Sequence, residues 1–444
     1  MGQKNRGLVN TPSKVGLKKN MSLKIRKRYK ISIKTFITGI LIILCLLGCN
    51  SIYSASLSHD YKLPELTVAI TILLTIISLK RIPIRTIKRW LQFMGVYLIA
   101  NVAIMIAIVP SDRVTFYAYR FIIFVPLLTL VLMGDAKKKR LFEIAFQYEN
   151  IVIFYATITL FIWALVSFSS LLQPTGSMTV SWGGIINYPT YFGIFATRQV
   201  QPFLGITWIR NQGWYTEGPM FNLIILIALC VEVFLSPFES QNRNGCINGM
   251  NIKKVVILVL ADISTFTITG MIVMIALFFF KYCLIKNKNN LRNFIKWMGA
   301  IIIAILGLFV AYNLFLVKFD TGSWEVRFDD YLAGFAAWKD HLIIGNGFGH
   351  MDAIENHMSF IRSYNKGFSS GLFVILAQGG LLFATVYLAA FAGYVRFSIK
   401  SGVRELFAML LIMIILLVTT VFHYTFVMML LLSYGFAFLM LKEC

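Results

Sequence analysis

Two arginines pose the first chemical question in this chain. Arg210 opens the stretch Arg210-Asn211-Gln212-Gly213-Trp214-Tyr215-Thr216-Glu217-Gly218-Pro219, which runs directly into an apolar segment. Arg327 closes Trp324-Glu325-Val326-Arg327, just before an amphipathic stretch. A guanidinium at the edge of a membrane needs an anion beside it, either a carboxylate such as Glu217 or a bound phosphate. The plainer reading of the first stretch is a helix start. Pro suits the first turn, an acid suits the positive end of the helix dipole, and Trp and Tyr favour the interface. Arg198 lies in the same loop. Arg120 interrupts the apolar run Phe116-Tyr117-Ala118-Tyr119-Arg120-Phe121. It can snorkel to the outer interface or face an internal cavity.

Acid–base groups gather in the second polar stretch. His350, His357 and Asp329 are the candidates for a proton acceptor, among further carboxylates that solvation alone would explain. Phe328, Leu332, Phe335, Trp338 and Leu342 recur at helical spacing, which predicts an amphipathic helix over 328–342 lying on the membrane or over a cavity, with Asp329 or Asp330 at its start. Gly345-Asn346-Gly347-Phe348-Gly349-His350 follows. It has no preceding strand and no Gly-Lys-Ser/Thr ending, so a nucleotide loop is excluded and the glycines serve sharp turns or close backbone approach. The six cysteines show neither a disulfide framework nor metal-ligand spacing, and no metal or cofactor is called for.

What must position these groups is a membrane domain. The chain is 58% hydrophobic and only 14% charged, well below the roughly 25% of a soluble domain. Apolar runs of about 18–25 residues recur, each long enough to cross a bilayer. Spans are expected at about 35–54, 66–80, 91–109, 114–133, 151–172, 218–237, 297–316, 367–394, 405–421 and 424–441. Leu46-Leu47-Gly48-Cys49 resembles a lipoprotein cleavage box, but it reads better as part of the first span. The net charge of +23 is concentrated at the N-terminus and in connectors. Eleven basic residues lie between Lys4 and Lys34, and no acid occurs before Asp60. That is the positive-inside pattern, not a nucleic-acid surface.

The run 255–280 has basic clusters on both sides, so a single crossing would violate that pattern. A broken hairpin with its tip at Asp262-Ile263-Ser264-Thr265-Phe266-Thr267 satisfies it. The expected fold is therefore all-α and polytopic. It has about ten full spans plus a short hairpin (about twelve in all), both termini cytoplasmic, and a basic tail over 1–34 ahead of one membrane domain over 35–441. Long outer loops fall at about 173–217 and 317–366, and long loops are where function concentrates.

Four segments, in this order, resemble the Wzy-type polymerases of O-antigen and capsular repeat units, in the O-antigen polymerase/ligase superfamily. They are Tyr119-Arg120-Phe121-Ile122-Ile123-Phe124-Val125-Pro126; Arg210…Gly213…Glu217-Gly218-Pro219; Ser264-Thr265-Phe266-Thr267-Ile268-Thr269-Gly270; and Arg327 with Trp338, Gly345-Asn346-Gly347-Phe348, Ser369-Ser370-Gly371-Leu372 and Gln378-Gly379-Gly380-Leu381. The resemblance implies a metal-independent membrane glycosyltransferase of the bacterial cytoplasmic membrane. It would transfer a growing glycan from polyprenyl diphosphate to the next lipid-linked repeat unit at the outer face. It also implies partners: polyprenyl-diphosphate-linked oligosaccharide, membrane lipid, a flippase and a chain-length regulator. Arg210 and Arg327 carry over as diphosphate contacts, with Glu217 orienting Arg210. Arg120, Arg198 and Asp329 would line the substrate. The base is left open among His350, His357 and Asp329.

Two rivals remain. Ligases of the same superfamily carry a His close before the span that follows the second loop. Here that stretch reads Ser363-Tyr364-Asn365-Lys366-Gly367-Phe368-Ser369, with His357 farther back. A flippase or transporter would show matching hydropathy halves, and none are visible.

Overall fold

The computed structural model describes residues 32–168, 172–182, 184–203, 206–236, 250–284, 294, 297–299, 323–362 and 367–441. In chain order the helices before the first long loop are α1 (Ile33–Leu47), α2 (Leu63–Leu79), α3 (Ile84–Ile108), α4 (Ser111–Ala136) and α5 (Glu143–Phe168). The loop itself forms strands β1 (Gly176–Ser181), β2 (Ile185–Tyr191), β3 (Phe195–Ala196), β4 (Val200–Phe203) and β5 (Ile206–Ile209). Then come α6 (Gly218–Leu235), α7 (Ile252–Ser264), α8 (Ile268–Leu284), α9 (Ser323–Asp340) and the single turn α10 (Asp352–Glu355). Helices α11 (Gly371–Ser401), α12 (Arg404–Thr419) and α13 (Phe426–Met440) complete the described chain.

Among the described residues, α3, α4, α5, α6 and α11 are long and apolar enough to cross a membrane, and α1, α2, α8 and α13 are shorter apolar helices. This is a membrane-embedded, mainly helical chain. The first span is shorter than expected, because α1 stops at Leu47 and the chain turns at Gly48 before Ser51 bridges Tyr215. Of the span expected over 297–316, only 297–299 lie within the described residues.

The expectation of an all-α chain needs correction in the first long loop. There β1 and β2 pair antiparallel from Gly176↔Thr190 to Ser181↔Ile185, β3 adds to β2, and β4 pairs with β5. The residues are β-branched and aromatic, and Val180 and Tyr188 point inward onto Ile52 and Ala196. The alternation over 176–191 is the signal that a search tuned to long apolar runs passes over.

The sheets mark one face of the bundle. On the opposite face, Lys34 pairs with Asp135 and Lys254 lies 2.6 Å from Glu149 and 3.6 Å from Glu232. Arg89 donates to Met440 O on that face. The start of α1 and the end of α13 therefore share it.

The hairpin reaches the sheet face and returns. Asn211 N bonds Ser264 O at the end of α7, and Lys281 near the end of α8 interacts with Glu405 at the start of α12. The halves diverge around α6, the most enclosed of the spans, with α7 also against α5 and α8 against α12.

Helix α9 begins earlier than 328, so Asp329 and Asp330 lie inside it and do not cap it. Its Ala333 and Ala337 pack with Ile354 and Val374, while Phe328, Leu332 and Phe335 are exposed. The apolar stripe predicted from spacing thus faces away from the protein, as a membrane-lying helix requires.

Candidate functional site

The break between α7 and α8 is built from Thr265, Phe266 and Thr267. Thr265 Oγ1 donates to Asp262 O at 2.7 Å, and Phe266 takes a positive φ of 49°. β-Branched threonines that bond locally are poor at continuing a helix, so the chain turns here. Behind the break, Asn222 of α6 donates to Asp262, and a Cβ at Gly270 would sit 2.1 Å from Asn222 Nδ2. Asn211 Nδ2 donates to Ser264 Oγ at 2.9 Å. The turn is thereby held against the start of α6.

Both candidate arginines end on this turn. Arg210 Nε donates to Thr265 O at 2.8 Å and its Nη2 to Thr267 Oγ1 at 2.9 Å. Arg327 Nη1 donates to Thr269 Oγ1 at 2.9 Å. A Cβ at Gly218 would lie 3.0 Å from Arg210 Nη2, so the residue that opens α6 has to be small for the guanidinium to cross it. Among the described residues, Arg210 Nη1 and Arg327 Nε and Nη2 make no hydrogen bond, and neither arginine has a carboxylate within ion-pair distance. Burial pulls the pKa of Arg210 below the ordinary guanidinium value; Glu217 opposes that and Arg327 adds to it. Two like charges thus sit side by side on neutral partners, where α6 and α8 also present their positive ends.

Glu217 does not ion-pair with Arg210 as expected. Its Oε1 accepts from Trp182 Nε1 at 2.8 Å, so the threonines, and not the carboxylate, orient Arg210. It still acts on Arg210 through space. Arg198 is exposed and donates to Tyr188 Oη at 3.0 Å on the sheet, outside the break.

Arg120 neither snorkels nor joins the pair. It is 6% exposed, bonded to Tyr424 O at 2.6 Å and Phe116 O at 3.0 Å, with Phe116's ring 3.5 Å from its guanidinium carbon. A π-helical turn over Ala118–Phe124 turns it into the bundle, as such turns do for single side chains.

The acid–base candidates are placed elsewhere. His357 Nε2 is 2.7 Å from Asp340 Oδ2 at the end of α9, about 20 Å of helix beyond Arg327. His350 is exposed, on the turn made by Gly347 and Gly349 past that same end. Asp329 accepts from Ser359 N at 3.2 Å and lies 3.5 Å from Arg362. Each of these residues therefore serves the loop that follows α9.

That loop rests on residues the sequence reading did not single out as a unit. Arg362, 2% exposed, donates to Asp330 Oδ1 at 2.7 Å and Val326 O at 2.8 Å, and Ser369 Oγ donates to Asp330 Oδ2 at 2.6 Å. Burial raises the Asp330 pKa, against the pull of Ser369 and Arg362. The two glycine clusters meet here. Asn346 N and Gly347 N donate to Ala377 O and Gln378 O, while Leu381 N and Leu382 N donate to Leu342 O and Ile343 O. Gly380 (φ 57°) kinks α11 to expose those groups, and a Cβ at Gly345 would be 2.5 Å from Gln378 C. The kink and the turn together fix the C-terminal end of α9.

No protein-family model matches this chain, and no curated protein matches it.

Proposed function

We propose that the paired guanidiniums of Arg210 and Arg327 bind the diphosphate of a polyprenyl-linked glycan and that the chain polymerises such units. One observation supports this reading above the others: two arginines, half-buried and mutually repelling, converge on one helix break with no carboxylate in ion-pair contact among the described residues, Glu217 acting on Arg210 only through space. An anion with several oxygens relieves that repulsion and occupies the three free nitrogens in charge-assisted bonds. On this reading the sheet face is the outer face, and the basic helix ends opposite lie in the cytoplasm.

In the reaction, the anomeric carbon–oxygen bond to the diphosphate breaks as an acceptor hydroxyl oxygen bonds that carbon. The departing polyprenyl diphosphate gains negative charge where the arginines are already fixed, and donors placed in advance stabilise that charge without reorganisation. The hydroxyl proton needs an acceptor. Glu217 Oε1 is held by Trp182, so Oε2 is the carboxylate oxygen open to it, and Glu217 replaces His350, His357 and Asp329 as the proposed base.

The glycan profile of cells lacking the gene, and of the same cells complemented, tests the proposal. Collapse of the ladder to single repeat units, restored by the gene, is the expected result. Full-length chains left on their lipid carrier would instead indicate a ligase, and single repeats retained on the cytoplasmic side a flippase.

A further inference from the structure

A second feature lies on the opposite face, away from the arginine pair. Helix α3 is held to α4 along one side, where Trp90 Nε1 donates to Pro126 O and Tyr97 Oη to Phe121 O, both at 2.9 Å. On its other side it stands off from α11 and α13, leaving a groove of about 630 Å³. Phe93, Val96, Ile104, Val386 and Ala389 make its walls mainly apolar, with Gln92, Asn101 and Thr385 as polar interruptions. From Arg89 to Ile104 the groove follows about 22 Å of helix, about three quarters of a hydrocarbon core of about 30 Å.

The groove is charged at one end only. Arg89 Nη1 donates to Met440 O at 3.2 Å and Arg396 Nη1 donates to Leu439 O, so both guanidiniums sit at the mouth against the last carbonyls of α13. Capping that helix end uses one nitrogen of each arginine. Among the described residues the other nitrogens make no hydrogen bond. Arg85, Lys88 and Lys400 are exposed on the same helix ends and add positive potential. A mainly apolar channel that spans one leaflet and reaches past the midplane, closed by two half-used guanidiniums at headgroup level, has the polarity of a phospholipid turned inside out.

We infer that this groove binds a phospholipid with an anionic headgroup, its phosphate between Arg89 and Arg396 and one acyl chain along α3. The site is independent of the reaction proposed above and belongs to the opposite leaflet.

The test is native mass spectrometry of the full chain, released from vesicles of phosphatidylglycerol and phosphatidylcholine in equal amounts. Two basic residues at the headgroup should favour phosphatidylglycerol by about 30-fold. Arg89→Gln with Arg396→Gln should remove most of that preference, leaving only the share of Arg85, Lys88 and Lys400. Ala389→Phe, which fills the channel and keeps both charges, should reduce retention of either lipid. Equal retention by the native chain overturns the proposal, as does a preference left undiminished by the arginine substitutions. If the double variant does not fold by size exclusion, undiminished retention by Ala389→Phe overturns it alone. Displacement of phosphatidylglycerol by millimolar inorganic phosphate would mean that only the headgroup binds, and would also overturn it.

Discussion

Arg210 and Arg327 are bonded to hydroxyls two residues apart on one turn, Arg210 to Thr267 and Arg327 to Thr269, each at 2.9 Å. One arginine comes from the loop before α6 and the other from α9, so the turn between α7 and α8 sets their spacing. Anion binding at this point depends on three separate stretches of chain being folded together.

Replacing either arginine should therefore abolish chain growth with the protein still present in the membrane. Loss of one positioned donor to developing charge costs about 10²–10³ in rate. Arg210→Lys and Arg327→Lys should recover little, because an ammonium offers no planar fork. Turnover of a lipid-linked repeat unit by purified protein, alongside immunoblots of membranes, measures both quantities. Falling abundance in every variant would show instead that these arginines support folding.

The threonines should behave as positioning residues. Thr267→Val and Thr269→Val keep the shape and remove the acceptor, leaving Arg210 on its Thr265 carbonyl bond alone and Arg327 without a hydrogen bond among the described residues. Activity is expected to drop by about tenfold, in line with a hydrogen bond to a charged group. Thr→Ser at the same positions should restore it. A Val variant as active as the native chain, with Ser impaired, would assign the role to the methyl group and packing.

Where Gly345 meets the α11 kink, any side chain is excluded. Gly345→Ala adds a Cβ 2.5 Å from Gln378 C and Gly379 N in a backbone with φ of 70°; Gly380→Ala adds one 2.3 Å from Ile343 O. The left-handed backbone alone costs about 1–3 kcal/mol, and the overlap adds to that. Both variants should lower the melting temperature in detergent. Ala at Gly402, which is also left-handed (φ 68°) but has open space around it, should cost only the backbone share.

His423, in the turn between α12 and α13, gives a dependence on pH. It is 4% exposed and neither ring nitrogen has a partner among the described residues. Burial pushes its pKa from 6.5 down to about 3. The unfolded chain then takes up a proton that the folded chain refuses, so stability is full above pH about 6.5 and falls as pH drops towards 3. At pH 5 the loss is about 2 kcal/mol. His423→Leu should flatten that part of the melting curve between pH 7 and 5, and an unchanged slope would mean that other groups set it.

Much of the architecture was readable from the chain alone, because hydropathy and charge act locally. Bilayer-length apolar runs suffice to place the long apolar helices α3, α4, α5, α6 and α11. At the break, Thr265-Phe266-Thr267 and the flanking lysines forced a return of the chain without any knowledge of its neighbours. Arg210 and Arg327 stood out for the same reason, as charges beside apolar runs. The glycine clusters at 345 and 380 signalled close approach, although not to each other.

Contacts between distant segments were decided only by the tertiary structure. Local sequence does not reveal that Arg120 caps Tyr424 O, that Glu217 is taken by Trp182, or that Asp330 is clamped by Arg362. Each pairing joins residues brought together by packing, and each changes a role inferred from residue type. The histidines show the same thing most plainly. His350 and His357 have suitable chemistry, but α9 carries them a helix length beyond the arginines. Residue type sets what a side chain can do, whereas the direction of the helix beneath it sets what it can reach.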